Sequence, residues 1–220
     1  MKAFFSASAI AALLMSVVLR AAAQCADQQL TIYLIDSAGV PARNLEQATR
    51  RAARILITAG TTITWRVNPG NAPGPITGPL MKTLNYSVRL RIASSASSNL
   101  PNRTLAYALP SVRTGPTVTI FYDRVRRVSQ DVEIDSDSVL GLVIAHEIGH
   151  TLLRSTRHSP TGIMKSPWSK SDIQHAAARL AEFTSLERSI IRQCAIPEML
   201  SDVEPRRPAK PRYEAVFTPE

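Results

Sequence analysis

From Val139 to Ala145 the chain is apolar or glycine at every position, and it then delivers His146, Glu147 and His150 without a break. The run starts after Asp135-Ser136-Asp137-Ser138, residue types that favour helix N-termini. A helix that apolar all round belongs in a protein interior. Carrying three polar side chains inside without partners costs on the order of a few kcal/mol each. The segment therefore predicts a capped, buried helix with a chemical site near its C-terminal end.

At about 3.6 residues per turn, His146 and His150 stand on one helix face, where two imidazoles can grip one Zn²⁺. Glu147 lies about 100° further round, beside such a metal and not on it. A carboxylate there can take the proton from a water whose pKa zinc has lowered to roughly 7. This is the peptidase arrangement H-E-x-x-H. Two histidines and a water leave one protein ligand to find. His158 is the nearest candidate, with Glu182 and Glu187 as later alternatives. His175 lacks a comparable setting and is read as a helix-surface residue.

His158 is followed by Ser159-Pro160-Thr161-Gly162-Ile163-Met164. The order His-Glu-x-x-His, His, Gly-Ile-Met, running from His146 to Met164, resembles the metzincin superfamily of zinc endopeptidases. The family pattern, H-E-x-x-H-x-x-G-x-x-H, would put Gly at position 153 and the last His at 156. Leu153 and Thr156 stand there, so this chain reaches His158 through a return two residues longer. In the family, that Gly lets the chain leave the helix through a left-handed turn.

The resemblance implies an α+β fold of zincin or metzincin type, with a twisted mixed β-sheet, an active-site helix and a C-terminal helix. It implies one catalytic Zn²⁺ held by His146, His150 and His158, with Glu147 as general base and Met164 as an apolar floor that does not bind the metal. It also implies that the strand before the last one borders the cleft, which gives Leu105 and Tyr107 a place on a substrate edge strand. An exposed edge offers backbone donors and acceptors to any extended peptide. The activity implied is endopeptidase hydrolysis of a peptide or protein substrate. The rival readings are a catalytically silent zincin-like binding protein, a zincin with a Glu third ligand, and a basic binding module in which zinc is incidental.

With 220 residues and 45% apolar character, the chain has enough to bury for one domain and too little for two. Residues 1–23 read as an export signal, with Lys2, an apolar core over 9–19 and a small-residue cleavage site at Ala21-Ala22-Ala23. That core is short for a membrane span, and no later stretch approaches one. The mature protein is expected to be secreted or periplasmic. Oxidising conditions there favour a Cys25–Cys194 disulfide. Residues 24–196 form the expected catalytic domain, and 197–220 a mobile, charged, Pro-rich tail. The net charge of +9 falls to +7 without Lys2 and Arg20 and favours acidic or polyanionic surfaces. Arg124, Arg126 and Arg127 cluster without a stacking pattern of aromatics. They read as a solvated basic face, with no specific nucleic-acid site.

Along the chain, residues 30–35 read as a strand, and Pro41 opens a helix that Gly60 stops, burying Leu45, Ala48, Ala52 and Leu56. Residues 62–67 alternate, pointing Ile63, Trp65 and Val67 inward, and should pair in parallel with the first strand. After a Pro- and Gly-rich loop at 68–79, Leu84, Tyr86, Val88, Leu90 and Ile92 mark the clearest strand. A Ser-rich loop over 94–102 leads to an edge strand at 105–109 and a last strand at 118–122. The chain then passes through 123–135 to the metal helix. Beyond Met164, Ser169 or Ser171 caps a short helix through Leu180, and Thr184 with Glu187 forms a capping box for a helix ending near Cys194.

Overall fold

In the computed structural model, which describes residues 28–67, 86–97, 100–109, 115–179 and 181–192, the first strand is β1 (Gln28–Asp36). Leu30, Ile32 and Leu34 alternate along it and are fully buried, which seals one face. The chain turns at Asp36, whose carboxylate accepts the N–H groups of Ala38, Gly39 and Val40. Helix α1 (Ala42–Thr58) follows, with Pro41 at its N-cap; it buries Leu45, Ala48, Ala52 and Leu56, as the spacing predicts.

Strand β2 (Thr61–Val67) returns parallel to β1. It is the outermost strand on that side, so only one neighbour shields it. Ile63 and Trp65 are therefore only partly covered, and Val67, expected inside, is 48% exposed. Strand β3 (Tyr86–Ala93) pairs in parallel with the other side of β1 and buries Val88, Leu90 and Ile92. The expected start of this strand at Leu84 lies outside the described residues, as do the loop at 68–79, the export signal, Cys25, Leu180, Cys194 and the tail at 197–220.

Strand β4 (Ala106–Leu109) is antiparallel to β5 (Thr117–Phe121), which in turn is parallel to β3. The sheet order is β2-β1-β3-β5-β4, which makes β4 an edge strand as expected.

The last strand gives way directly to a helix. Tyr122, read as strand, begins α2 (Tyr122–Val132), which occupies most of the stretch expected to be a plain connection. Its inward residues Val125, Val128 and Val132 recur at helical spacing. Charged side chains surround these valines and mask the spacing in the sequence. Arg124 also departs from the solvated basic face expected of it. It is 7% exposed, lies over the Phe121 ring, and donates to the carbonyls of Pro101 (2.5 Å) and Thr104 (2.6 Å). Burial lowers its pKa, and the neighbouring Asp123 partly offsets that. Arg126 and Arg127 are exposed.

Helix α3 (Ser136–Leu153) packs against α1 and α2, and every residue from Val139 to Thr151 is buried. Asp135 is its N-cap by position, but its side chain makes no capping bond; its carbonyl accepts from Ser138 and Val139. Helix α4 (Lys170–Ala178) opens with a capping box between Ser169 and Asp172. Helix α5 (Ser185–Arg192) opens with the predicted Thr184–Glu187 pair, each side chain accepting the other's backbone N–H.

Candidate metal centre

Two of the three imidazoles are aimed by backbone carbonyls. His146 is fully buried, with Nδ1 2.7 Å from the Ile163 carbonyl oxygen, and His150 has Nδ1 2.8 Å from that of Ser155. A carbonyl only accepts, so each Nδ1 carries a proton; in a neutral ring so bonded, Nε2 presents a lone pair. The two Nε2 atoms face each other at 3.1 Å. A shared proton or a metal ion can bridge two imidazole nitrogens at that distance.

His158 arrives from beyond the helix. Helix α3 runs through Leu153, and the left-handed residue is Arg154, at φ +49°, one position after the place where the family pattern has its Gly. The N–H groups of Arg154 and Ser155 both return to the His150 carbonyl, which closes the helix. The loop over 155–157 then brings the His158 ring to within 5.3 Å of the His146 centroid and 5.0 Å of His150.

One ligand nitrogen from each of the three rings lies within 4.8 Å of the other two. Tetrahedral zinc with N ligands at about 2.0–2.1 Å sets them about 3.4 Å apart. A modest shift of one ring therefore completes the set. Borderline-soft imidazoles with carbonyl-bound Nδ1 atoms are a donor set suited to Zn²⁺. The residues fit the metal.

Glu147 is 1% exposed and follows His146 on the same helix. The two alternative Glu ligands are engaged elsewhere. Glu182 pairs with Arg188 at 2.7 Å, while the Glu187 carboxylate accepts from the Thr184 N–H and the Ser159 hydroxyl.

Met164 lies fully buried beneath α3. It approaches so closely that a Cβ at Gly149 would be 2.4 Å from its sulfur and 2.9 Å from the Phe183 ring. The turn before Met164 depends on Gly162, at φ +77°, where a Cβ would meet the Glu182 carbonyl at 2.6 Å. The Ile163 N–H donates to that same carbonyl at 2.9 Å, while the Ile163 carbonyl serves His146. One residue thus links the segment before α5 to a metal-site imidazole.

Beyond the turn, Lys165 grips both carboxylate oxygens of Asp172 at 2.7 Å. Burial raises the Asp172 pKa, but Lys165 and the bonds from Ser169 outweigh it and hold the group below its ordinary value. Trp168, 3% exposed, stands edge-on to His146 at 5.3 Å between centroids. No local pattern in the sequence marks Trp168 for this contact. Phe183 and the Ser159–Glu187 bond were also missed, since no local pattern announces a contact across that many residues.

Leu105 and Tyr107 lie at the sheet edge with different exposures. Leu105 is 1% exposed in the core just before β4, whereas Tyr107 is half-buried, its ring 5.9 Å from that of Phe121. Strand β4 is also in contact with α3, so the sheet edge and the histidine helix are neighbours. His175 is exposed on α4, as expected.

No family model and no curated protein matches the chain. Among solved structures it is similar to a zinc-dependent peptidase from Methanocorpusculum labreanum (strain Z), at 15% identity and a TM-score of 0.47, over 73% of this chain and 99% of that one.

Proposed function

We propose that the protein is an exported zinc metalloendopeptidase of metzincin type, with His146, His150 and His158 as the ligands of a single Zn²⁺ and Glu147 as general base. The observation that carries this reading is the convergence of three imidazoles, with the His146 and His150 Nε2 atoms 3.1 Å apart and the His158 ring in reach. Carbonyl bonds to both Nδ1 atoms orient the two rings with Nε2 towards the shared space, the arrangement that a metal-ligating histidine pair uses.

Bound zinc would supply Lewis-acid polarisation of the scissile carbonyl and acidify water at the site. Glu147, in a low-dielectric setting next to His146, takes the proton of the attacking water and hands it to the leaving amine. Met164, Phe183 and Trp168 keep the floor of the site apolar, which strengthens the electrostatics above it. The outer edge of β4 offers main-chain groups to an extended peptide; Leu105 anchors that strand by accepting the Phe121 N–H, and Tyr107 adds its partly exposed ring. Export by a signal at 1–23, with a Cys25–Cys194 disulfide, completes the reading, and the basic surface suits acidic or polyanionic surroundings.

The test is zinc content and cleavage of a mixed peptide library for wild type, Glu147→Gln and His158→Ala. Wild type should carry one zinc per chain and cleave. Glu147→Gln should keep its zinc and lose roughly 10²–10⁴-fold in turnover, the contribution general of a positioned base. His158→Ala should lose zinc. A zinc-free wild type, or a fully active Glu147→Gln, would overturn the proposal.

A further inference from the structure

The third imidazole is the one carried by a loop, and the residue after it is tied down through both its main chain and its side chain. The Ser159 N–H donates to the Met164 carbonyl at 2.9 Å, and Ser159 forms a bridge with Lys165. Its hydroxyl donates to the carboxylate of Glu187, a residue 6% exposed in the first turn of α5. The other carboxylate oxygen of Glu187 accepts the Thr184 N–H at 2.7 Å. A buried carboxylate makes strong, directional bonds because water does not compete for it. Glu187 therefore joins the C-terminal helix to the backbone carrying His158.

We infer that Glu187 is a positioning residue for the metal centre, acting through the Ser159 hydroxyl to hold His158 where it meets His146 and His150. The inference rests on the three-histidine reading above. It gives Glu187 a role that its candidacy as a ligand concealed, since the carboxylate aims the ligand loop without contacting the metal. The physical need is plain. His146 and His150 inherit their positions from a buried helix, whereas His158 follows a loop whose neighbours Thr156 and Arg157 are exposed. An anchor next to it lowers the ordering that metal binding would otherwise have to impose.

The test separates the anchor from the helix cap that Glu187 also makes. Zinc affinity would be measured by competition with a chromophoric chelator, alongside thermal melting of the zinc-free proteins. Ser159→Ala removes the hydroxyl and leaves the Thr184 bonds in place; it should weaken zinc binding by about tenfold, the lower end for outer-sphere partners. Ser159→Thr keeps the hydroxyl and should restore most of the affinity. Thr184→Ala removes the capping oxygen that accepts from the Glu187 N–H, and should lower the melting temperature with zinc affinity unchanged. The inference fails if Ser159→Ala binds zinc as tightly as wild type, or if Thr184→Ala weakens binding equally. If wild type itself binds no zinc, the three-histidine reading fails, and this inference with it. Tight wild-type binding with an indifferent Ser159→Ala defeats this inference alone.

Discussion

Gly149 and Met164 are in contact across the floor of the histidine site, and a single Cβ on Gly149 would come within 2.4 Å of the Met164 sulfur. The Phe183 ring closes the same space at 2.9 Å, so the methionine cannot simply swing aside into it. Gly149→Ala should therefore overpack the site at a cost of about 1–3 kcal/mol. The displaced turn carries the carbonyl that aims His146, so zinc content should fall together with stability. Urea unfolding and metal analysis of the same preparation check both effects, and unchanged stability would show that the turn yields freely.

If the three histidines bind zinc, as proposed, the folded state is stabilised by the metal. A ligand bound only by the folded state stabilises it by about 4 kcal/mol at a thousandfold excess over Kd. Dialysis against a chelator should lower the melting temperature of wild type, and added zinc should restore it. His150→Ala, which cannot assemble the set, should melt at the same temperature with or without chelator.

The Lys165–Asp172 clamp should make stability depend on acid. The folded-state pKa of Asp172 lies below its unfolded value of about 4, because the Lys165 and Ser169 contacts outweigh the cost of burial. Its contribution is then fully present above about pH 4 and is lost as the pH falls from there through the folded pKa. Asp172→Asn should be less stable than wild type at neutral pH by about 1 kcal/mol, including part of the α4 cap. That gap should close in urea titrations well below pH 4. A gap independent of pH would mean that the carboxylate charge contributes nothing.

Arg124 should prove structural despite its place among surface arginines. Arg124→Met keeps much of the apolar stem but removes the donors to the Pro101 and Thr104 carbonyls, at about 1–3 kcal/mol for each buried acceptor left unpaired. The loop ahead of β4 should loosen, which faster amide exchange in residues 100–109 would reveal. Arg126→Met, at an exposed position of the same helix, should change stability little.

The sequence by itself determined the elements whose local chemistry is self-sufficient. The apolar run Val139–Ala145 had to be a buried helix, and the i, i+4 spacing put His146 and His150 on one face of its continuation. Alternation in β1 and β3, the stripe of α1 and the Thr184–Glu187 box were likewise legible, because each depends on residues within one or two turns of each other.

Only the tertiary structure decided the rest. Val67 is exposed because β2 lies at the edge of the sheet, and Arg124 is buried because the loop at 100–104 crosses it. His158, and neither Glu182 nor Glu187, joins the other two histidines because the chain turns left-handed at Arg154 and Ser159 is held from α5. The physical reason is common to all of these. A side chain's surroundings are set by segments remote in the chain, and no periodicity within its own segment records which of them will arrive.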